Sequence, residues 1–206
     1  MNDKKVQNVS GDKKPVILWF RQDLRLDDNP ALVAAHETGA PIIPLYILDD
    51  VNSGEWRMGG ASRWWLHQSL NALNQDLNGA LVFETGNPED ILSQIIKDTG
   101  ADKVFWNRCY EPWRIKRDKA LKQNFGNQNV QTKSFNGSLL FEPHTVLKED
   151  GTPYRVFTPF YKKGCLLRGG EPRTPLSKPD RLNLSNHHRL SLDDLKLMPK
   201  IKLTNF

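Results

Sequence analysis

The chain has 206 residues, 38% hydrophobic and 26% charged, and its 29 Lys and Arg against 24 Asp and Glu leave a net charge of +5. That length holds one α/β domain with an appendage or two small domains; 14 Gly and 13 Pro exclude a collagenous or low-complexity chain, and no apolar run reaches the ~18 residues of a membrane-spanning helix. The opening MNDKKVQNVSGDKK lacks the apolar stretch of a secretory signal, and Cys109 and Cys165 form neither a disulfide framework nor a CxxC site, so a reducing, cytoplasmic setting is expected.

The excess charge is unevenly placed. Residues 1–150 carry 18 Lys and Arg against 20 Asp and Glu, a net of −2, whereas residues 151–206 carry 11 against 4, a net of +7. The basic stretch also holds six of the thirteen prolines, which predicts an extended, poorly structured segment.

In chain order, residues 1–14 are expected to be disordered. Val16-Ile17-Leu18-Trp19-Phe20 is a short apolar run of the kind buried on both faces of a sheet. Asn29-Pro30 caps and starts a helix that Gly39 ends. Ile42 to Leu48 is the second strand, in which Pro44 argues for an edge position or a bulge. A loop over 49–60 leads to a long helix whose Trp65, Leu66, Leu70, Leu73 and Leu77 are expected to form one buried face. Ala80 to Phe83 reads as the third strand, and Asn87-Pro88-Glu89-Asp90 opens a helix with Ile91, Leu92, Ile95 and Ile96 as its core stripe. Lys103 to Trp106 is the fourth strand, a helix begins at Glu111-Pro112, and Val130 to Phe135 is the fifth strand.

Strands alternating with single helices predict an α/β fold: a Rossmann-like, doubly wound, five-stranded parallel sheet with helices on both faces, followed by the extended Pro-rich basic segment. Ligands of such sheets bind beyond the carboxyl ends of the strands, where the strand order reverses. The residues to watch therefore follow each strand: 21–28, 49–63, 84–87 and 107–111. The loop after strand one has no Gly-rich phosphate cradle, so neither a dinucleotide fingerprint nor a P-loop is present. Its Arg21, Asp23 and Arg25 either brace the loop by salt bridges or face a ligand. The five histidines have no zinc-ligand spacing. Helix 111–125 presents Arg114, Lys116, Arg117, Lys119 and Lys122, a solvated basic face or one that meets phosphates.

The string WFRQDLRLDDNPAL at 19–32 resembles the opening motif of the DNA photolyase and cryptochrome family. Three further segments agree in order and spacing: GASRWWL at 60–66, FWNRCYEP at 105–112 and YRVFTPF at 154–160. Together they cover about residues 15–165, and the pattern is similar to that of bacterial deoxyribodipyrimidine photolyases. The resemblance implies an N-terminal α/β domain over 15–135 that binds an antenna pigment, completed by a peripheral loop and short helix over 136–167. It further implies that 168–206 is an interdomain linker, cut before a helical domain that holds FAD and the damaged DNA. The family's reaction is a carbon–carbon lyase step, light-driven splitting of pyrimidine dimers. No catalytic residue or metal ligand is expected in this chain, which alone is not competent for repair.

The implied cofactor is methenyltetrahydrofolate, 8-hydroxy-5-deazaflavin or FMN, with FAD only in the helical domain. Candidate pigment-binding residues are Arg21, Asp23, Asp49, Arg63, Asn107, Cys109 and Glu111. Asn107, Cys109 and Glu111 match the antenna-contacting loop of the family. Glu111 bonds a pigment N–H or caps the helix at Pro112, and Cys109 is a ligand contact or a small buried hydrophobe. Arg63 and Arg57 face a carboxylate or phosphate or sit in solvent, and Asp49 and Asp50 bond the pigment or form a turn. Trp56 and Trp113 are placed to stack on a pigment, while Trp19, Trp64, Trp65 and Trp106 are assigned to the core. A cryptochrome-type photoreceptor module and a small basic DNA-binding protein are the alternative readings. DNA is expected as a partner only in the full-length family context, and self-association through the exposed interdomain face is the other expected contact.

Overall fold

The computed structural model of the protein describes residues 13–185, 187 and 189–199. Most of the N-terminus expected to be disordered, residues 1–12, lies outside them, as do His188, Lys200 and Lys202 of the basic tail. Five strands, β1 (Val16–Phe20), β2 (Ile42–Leu48), β3 (Val82–Thr85), β4 (Lys103–Asn107) and β5 (Gln131–Phe135), pair in the order β3-β2-β1-β4-β5. Every pairing is parallel. The chain winds outward from β1 to β3, then returns to β4 on the other side of β1, so the order reverses between β1 and β4. This is the doubly wound sheet that the alternation of strands and helices predicts.

Period-two alternation splits the strands between two cores. Val16, Leu18 and Phe20 face a cluster that includes Ala31, Leu32 and Ala35 of α1 (Pro30–Glu37) and Leu66, Leu70 and Leu73 of α2 (Gly60–Asp76). Ile17 and Trp19 face Leu92 and Ile95 of α3 (Pro88–Thr99) and Leu121 and Phe125 of α4 (Pro112–Gly126). The helix starts follow local chemistry. The Asn29 side chain accepts the Leu32 N–H at 3.1 Å, the Asn87 side chain accepts that of Glu89, and Pro stands in the first turn of both helices.

Pro44 departs from the edge position expected of it, because β2 is an interior strand. The Ile42 N–H and carbonyl bond to Asn183 and Ser185, and the Leu48 carbonyl accepts from Gly86, so even-numbered residues of β2 turn their backbone polar groups away from β1. The ladder to β3 begins only at Leu45↔Val82, so the N–H that Pro44 lacks would have met no β3 partner. The same register moves the third strand to Val82–Thr85, two residues beyond the apolar run that signals it.

After β5, a loop over 136–156 leads to α5 (Phe157–Pro159), which continues as a π-helix over Phe160–Arg168. The basic Pro-rich segment is extended and mostly exposed, as its composition suggests, but it is anchored to the α/β body at several points. Arg173 pairs with Asp28 at 2.6 Å, Asp28 and Leu176 exchange two hydrogen bonds, and Leu184 bridges Ile42. Leu190 bridges Phe83, while Leu195 and Leu197 are buried in the α1–α2 core. Six leucines between 182 and 197 supply the apolar surface that a free linker would lack. Among the described residues no helix is long and apolar enough to cross a membrane.

Candidate functional site

The loop after β1 is organised by buried charge. The Arg21 guanidinium stacks over the rings of Trp19 and Trp106 at 5.1 and 5.9 Å, donates to Asp118 Oδ2 at 2.6 Å and also bonds the Asn107 carbonyl. Buried ions persist only when paired and hydrogen-bonded, and here both conditions hold. Asn107 Nδ2 donates to Asp23 at 2.6 Å and to Asn29 at 2.7 Å, while its Oδ1 accepts the Ala31 N–H. Asp23 also accepts the Arg21 backbone N–H. Asp23, Asn29 and Asn107 thus tie the ends of β1 and β4 to the start of α1. Gly137 seals this knot: a Cβ there would lie 2.7 Å from Asn107 Cγ, and its carbonyl accepts from Arg25 at 2.6 Å.

A second charged layer lies beside it. Arg117 of α4 pairs with Asp49, at the end of β2, at 2.9 Å and with Asp118 at 2.9 Å, and its guanidinium lies 4.8 Å from the Trp19 ring centroid and 5.2 Å from that of Trp113. Asp49 also accepts from Asn52, which closes the turn after β2. Arg63 turns to Asp50 and to the Met58 carbonyl.

Above these layers, beyond the carboxyl ends of β1, β2 and β4, opens a groove of about 1210 Å³. Arg21 and Tyr46 line it from the sheet, the latter a buried phenol whose pKa desolvation pushes well above its ordinary value. Trp56, Trp65 and Trp113 supply aromatic surface, with Trp56 80% and Trp65 68% exposed. Glu111 accepts from Gln22 at 2.9 Å through Oε1, whereas its Oε2 is buried without a hydrogen-bond partner, 3.7 Å from a likewise unpartnered Arg114 Nε. The groove therefore offers flat apolar surfaces, an unsatisfied carboxylate acceptor and guanidinium donors.

Of the seven residues singled out from the sequence, Arg21 and Glu111 line this groove. Asp23 and Asn107 lie below it in the buried knot, Asp49 is engaged by Arg117, and Arg63 by Asp50. Cys109 lines a cleft formed with Lys119 and Lys122, and its sulfur accepts from Arg114 at 3.3 Å. Trp64 and Trp65 are corrections to the sequence reading, since they are 41% and 68% exposed rather than in the core. The buried stripe of α2 is Leu66, Leu70 and Leu73, one residue round the helix from Trp65. Ser62, Trp65 and Ser69 form a separate stripe at three- and four-residue spacing that faces the groove, a signal present in the sequence but overshadowed by the leucines. Gln22, inside the 19–32 string, and Arg114, on the basic helix, also line the groove, though neither stands out in the sequence as a ligand contact.

A family model described as DNA photolyase matches residues 16–179. The chain is 45% identical over 190 residues to the deoxyribodipyrimidine photo-lyase of Agrobacterium fabrum, covering 90% of this chain and 39% of that one. It is 36% identical over 170 residues to Cryptochrome-1 of Arabidopsis thaliana, covering 81% and 25%. The crystal structure of a bacterial class III photolyase from Agrobacterium tumefaciens superposes with a TM-score of 0.84 at 42% identity, covering 95% of this chain and 40% of that one. The chain thus spans about two fifths of the length of these photolyases. It belongs to the DNA photolyase family, whose N-terminal α/β domain it matches.

Proposed function

We propose that this α/β unit binds a light-harvesting pigment in the groove at the carboxyl ends of β1, β2 and β4, in support of light-dependent repair of pyrimidine dimers by a photolyase. The observation that carries the reading is the groove itself, in which aromatic surface meets a carboxylate oxygen that has no hydrogen-bond donor. Trp56, Trp65 and Trp113 suit a planar heterocycle. Glu111 Oε2 is held only by an ion pair with Arg114 at 3.7 Å and has no hydrogen-bond donor, which a ring N–H would provide. Arg114 and Arg25 border the groove where a carboxylate or phosphate tail would extend. The residues present therefore fit methenyltetrahydrofolate, an 8-hydroxy-5-deazaflavin or FMN.

When bound, such a pigment supplies absorption of near-ultraviolet or blue light and passes excitation to a flavin. The protein's part is to orient it and keep it rigid. Arg21, Asp118, Asn107 and Asp23 do this indirectly by fixing the loop that carries Gln22 to the helix that carries Glu111 and Trp113. No acid, base or nucleophile is required of these residues, and the unit alone does not repair DNA. FAD and DNA belong to the remainder of a full-length family protein. Val156, Phe157, Leu166 and Leu167 form an exposed apolar face suited to that remainder, through which isolated copies would self-associate. The buried free thiols of Cys109 and Cys165 suit a reducing cytoplasm.

The match to an Arabidopsis cryptochrome carries the second reading, the same pigment-binding unit in a photoreceptor. The test common to both is the absorption spectrum of the purified chain together with mass spectrometry of its released ligand. A bound folate, deazaflavin or flavin supports the reading, and a colourless protein that takes up none of them on reconstitution contradicts it. Light-driven dimer repair by a full-length protein carrying this unit separates the two roles.

A further inference from the structure

Across α4 from the groove, beyond the ends of β4 and β5, lies a smaller cleft of about 250 Å³ lined by Arg108, Cys109, Ile115, Asp118, Lys119, Lys122 and Ser134. Its charges do not balance. Asp118 is fully engaged, with Oδ2 accepting from Arg21 and Oδ1 from Nε and Nη2 of Arg117. The nearest carboxylate to Arg108 is equally occupied, since Glu142 Oε1 accepts from Arg108 Nε and Nη2 and from the Tyr110 hydroxyl. Among the described residues neither Lys119 nor Lys122 has a carboxylate within salt-bridge distance. Two ammonium groups thus border the cleft without a counter-charge.

Ser134 adds a neutral donor. Its Oγ accepts from Lys122 Nζ at 2.7 Å and from Arg108 Nη1 at 3.2 Å, so its hydroxyl proton is free to point at a guest. Partial desolvation lowers the Lys122 pKa, the Arg108 guanidinium lowers it further, and Asp118 only partly offsets these effects before Arg21 adds its own repulsion. An anion in the cleft would remove that repulsion. We propose that Lys119, Lys122 and Ser134, beside the Glu142-paired Arg108, form a binding site for a phosphate-type oxyanion, either free or as the phosphoryl group of a small molecule. The site is independent of the aromatic groove, from which α4 separates it.

The test is calorimetric titration of the full chain with inorganic phosphate and, separately, with phenyl phosphate as a small phosphomonoester. A short duplex DNA serves as a third arm. Saturable binding of phosphate, accompanied by a higher melting temperature, is expected. The double variant K119Q/K122Q should weaken binding about tenfold, the scale of losing charge-assisted hydrogen bonds. K133Q should leave it unchanged, because Lys133 lies over Phe105, on the opposite face of the sheet from Trp106 and Lys122. S134A keeps both lysines and should weaken binding about fivefold, a second route should the double variant fail to fold. Tighter binding of phenyl phosphate than of phosphate identifies a phosphorylated small molecule as the guest, and equal binding identifies the free ion. Non-saturable phosphate binding, equal affinity in K119Q/K122Q, or binding of DNA alone would overturn the assignment.

Discussion

Arg21 and Asp118, 97 residues apart in sequence, meet at 2.6 Å between the end of β1 and the second turn of α4, with side chains only 4% and 10% exposed. The pair joins the loop bearing Gln22 to the helix bearing Trp113, the two walls that must hold their spacing for a ligand to fit between them. Truncating one partner leaves the other ion buried and uncompensated. Asp118→Ala is therefore expected to cost ~3–5 kcal/mol in urea denaturation, because it strands Arg21 and removes one of the two carboxylates on Arg117. A loss comparable with that of an exposed surface substitution would contradict the bracing role.

Gly137 gives a steric test of the same region. A methyl group at this position would sit within 2.9 Å of Asn107 Cβ and Nδ2, and Asn107 is held on three sides by Asp23, Asn29 and Ala31. The neighbour cannot give way without breaking those bonds. Gly137→Ala should therefore lower stability by ~1–3 kcal/mol, the usual cost of overpacking. Ala at Gly126, where a new Cβ meets nothing within 4 Å, should be neutral or slightly stabilising in the same melting experiment.

Much of this architecture is legible in the sequence because local chemistry and global packing agree. The apolar run 16–20, the capping pairs Asn29-Pro30 and Asn87-Pro88, and the alternation of strands and helices all point to the observed sheet. What escapes is whatever depends on partners distant in sequence. Pro44 looks like an edge residue until the late start of β3 shows that its missing N–H had nothing to bond. Trp65 looks like core because tryptophan usually is, yet one helical step from Leu66 turns it toward the groove. Asp23 and Asn107 stand where ligand contacts are expected and are instead bonded to one another. No single-residue signal distinguishes a polar group that faces a ligand from one that faces a second loop. The tail reads as linker from its prolines and charges, but its spaced leucines are what pack.

Those leucines yield a contrast. Leu195 is 4% exposed in the α1–α2 core, whereas Leu167 is 77% exposed. Leu195→Ala should cost ~2–5 kcal/mol, and Leu167→Ala should stay within ~0.5 kcal/mol. Equal effects in a pair of thermal melts would mean that the tail is not part of the folded core.

Glu84 supplies a pH signature. Burial at the end of β3 raises its pKa, and Arg189, with a lesser contribution from His187, only partly offsets this. A carboxyl with a raised native pKa binds more protons in the folded than in the unfolded state within that window. Stability attributable to Glu84 is thus highest at acid pH and falls as pH rises from about 4.5, the ordinary value, through the raised one. Glu84→Gln should remove this slope, so the variant gains on the parent chain as pH rises from 4 toward 7, read from melting temperatures across that range. A parent chain whose stability relative to the variant increases with pH would contradict the burial argument.

The central claim is that the tryptophan-lined groove holds a pigment, and equilibrium titration of the purified chain with methenyltetrahydrofolate, a deazaflavin and FMN tests it most directly. Fluorescence quenching of the groove tryptophans should saturate at one equivalent for at least one pigment. Trp65→Ala and Glu111→Ala should each weaken that binding about tenfold, the scale of one aromatic stack or one charge-assisted hydrogen bond. Absence of saturable binding for all three pigments, or full affinity in both variants, would contradict the account.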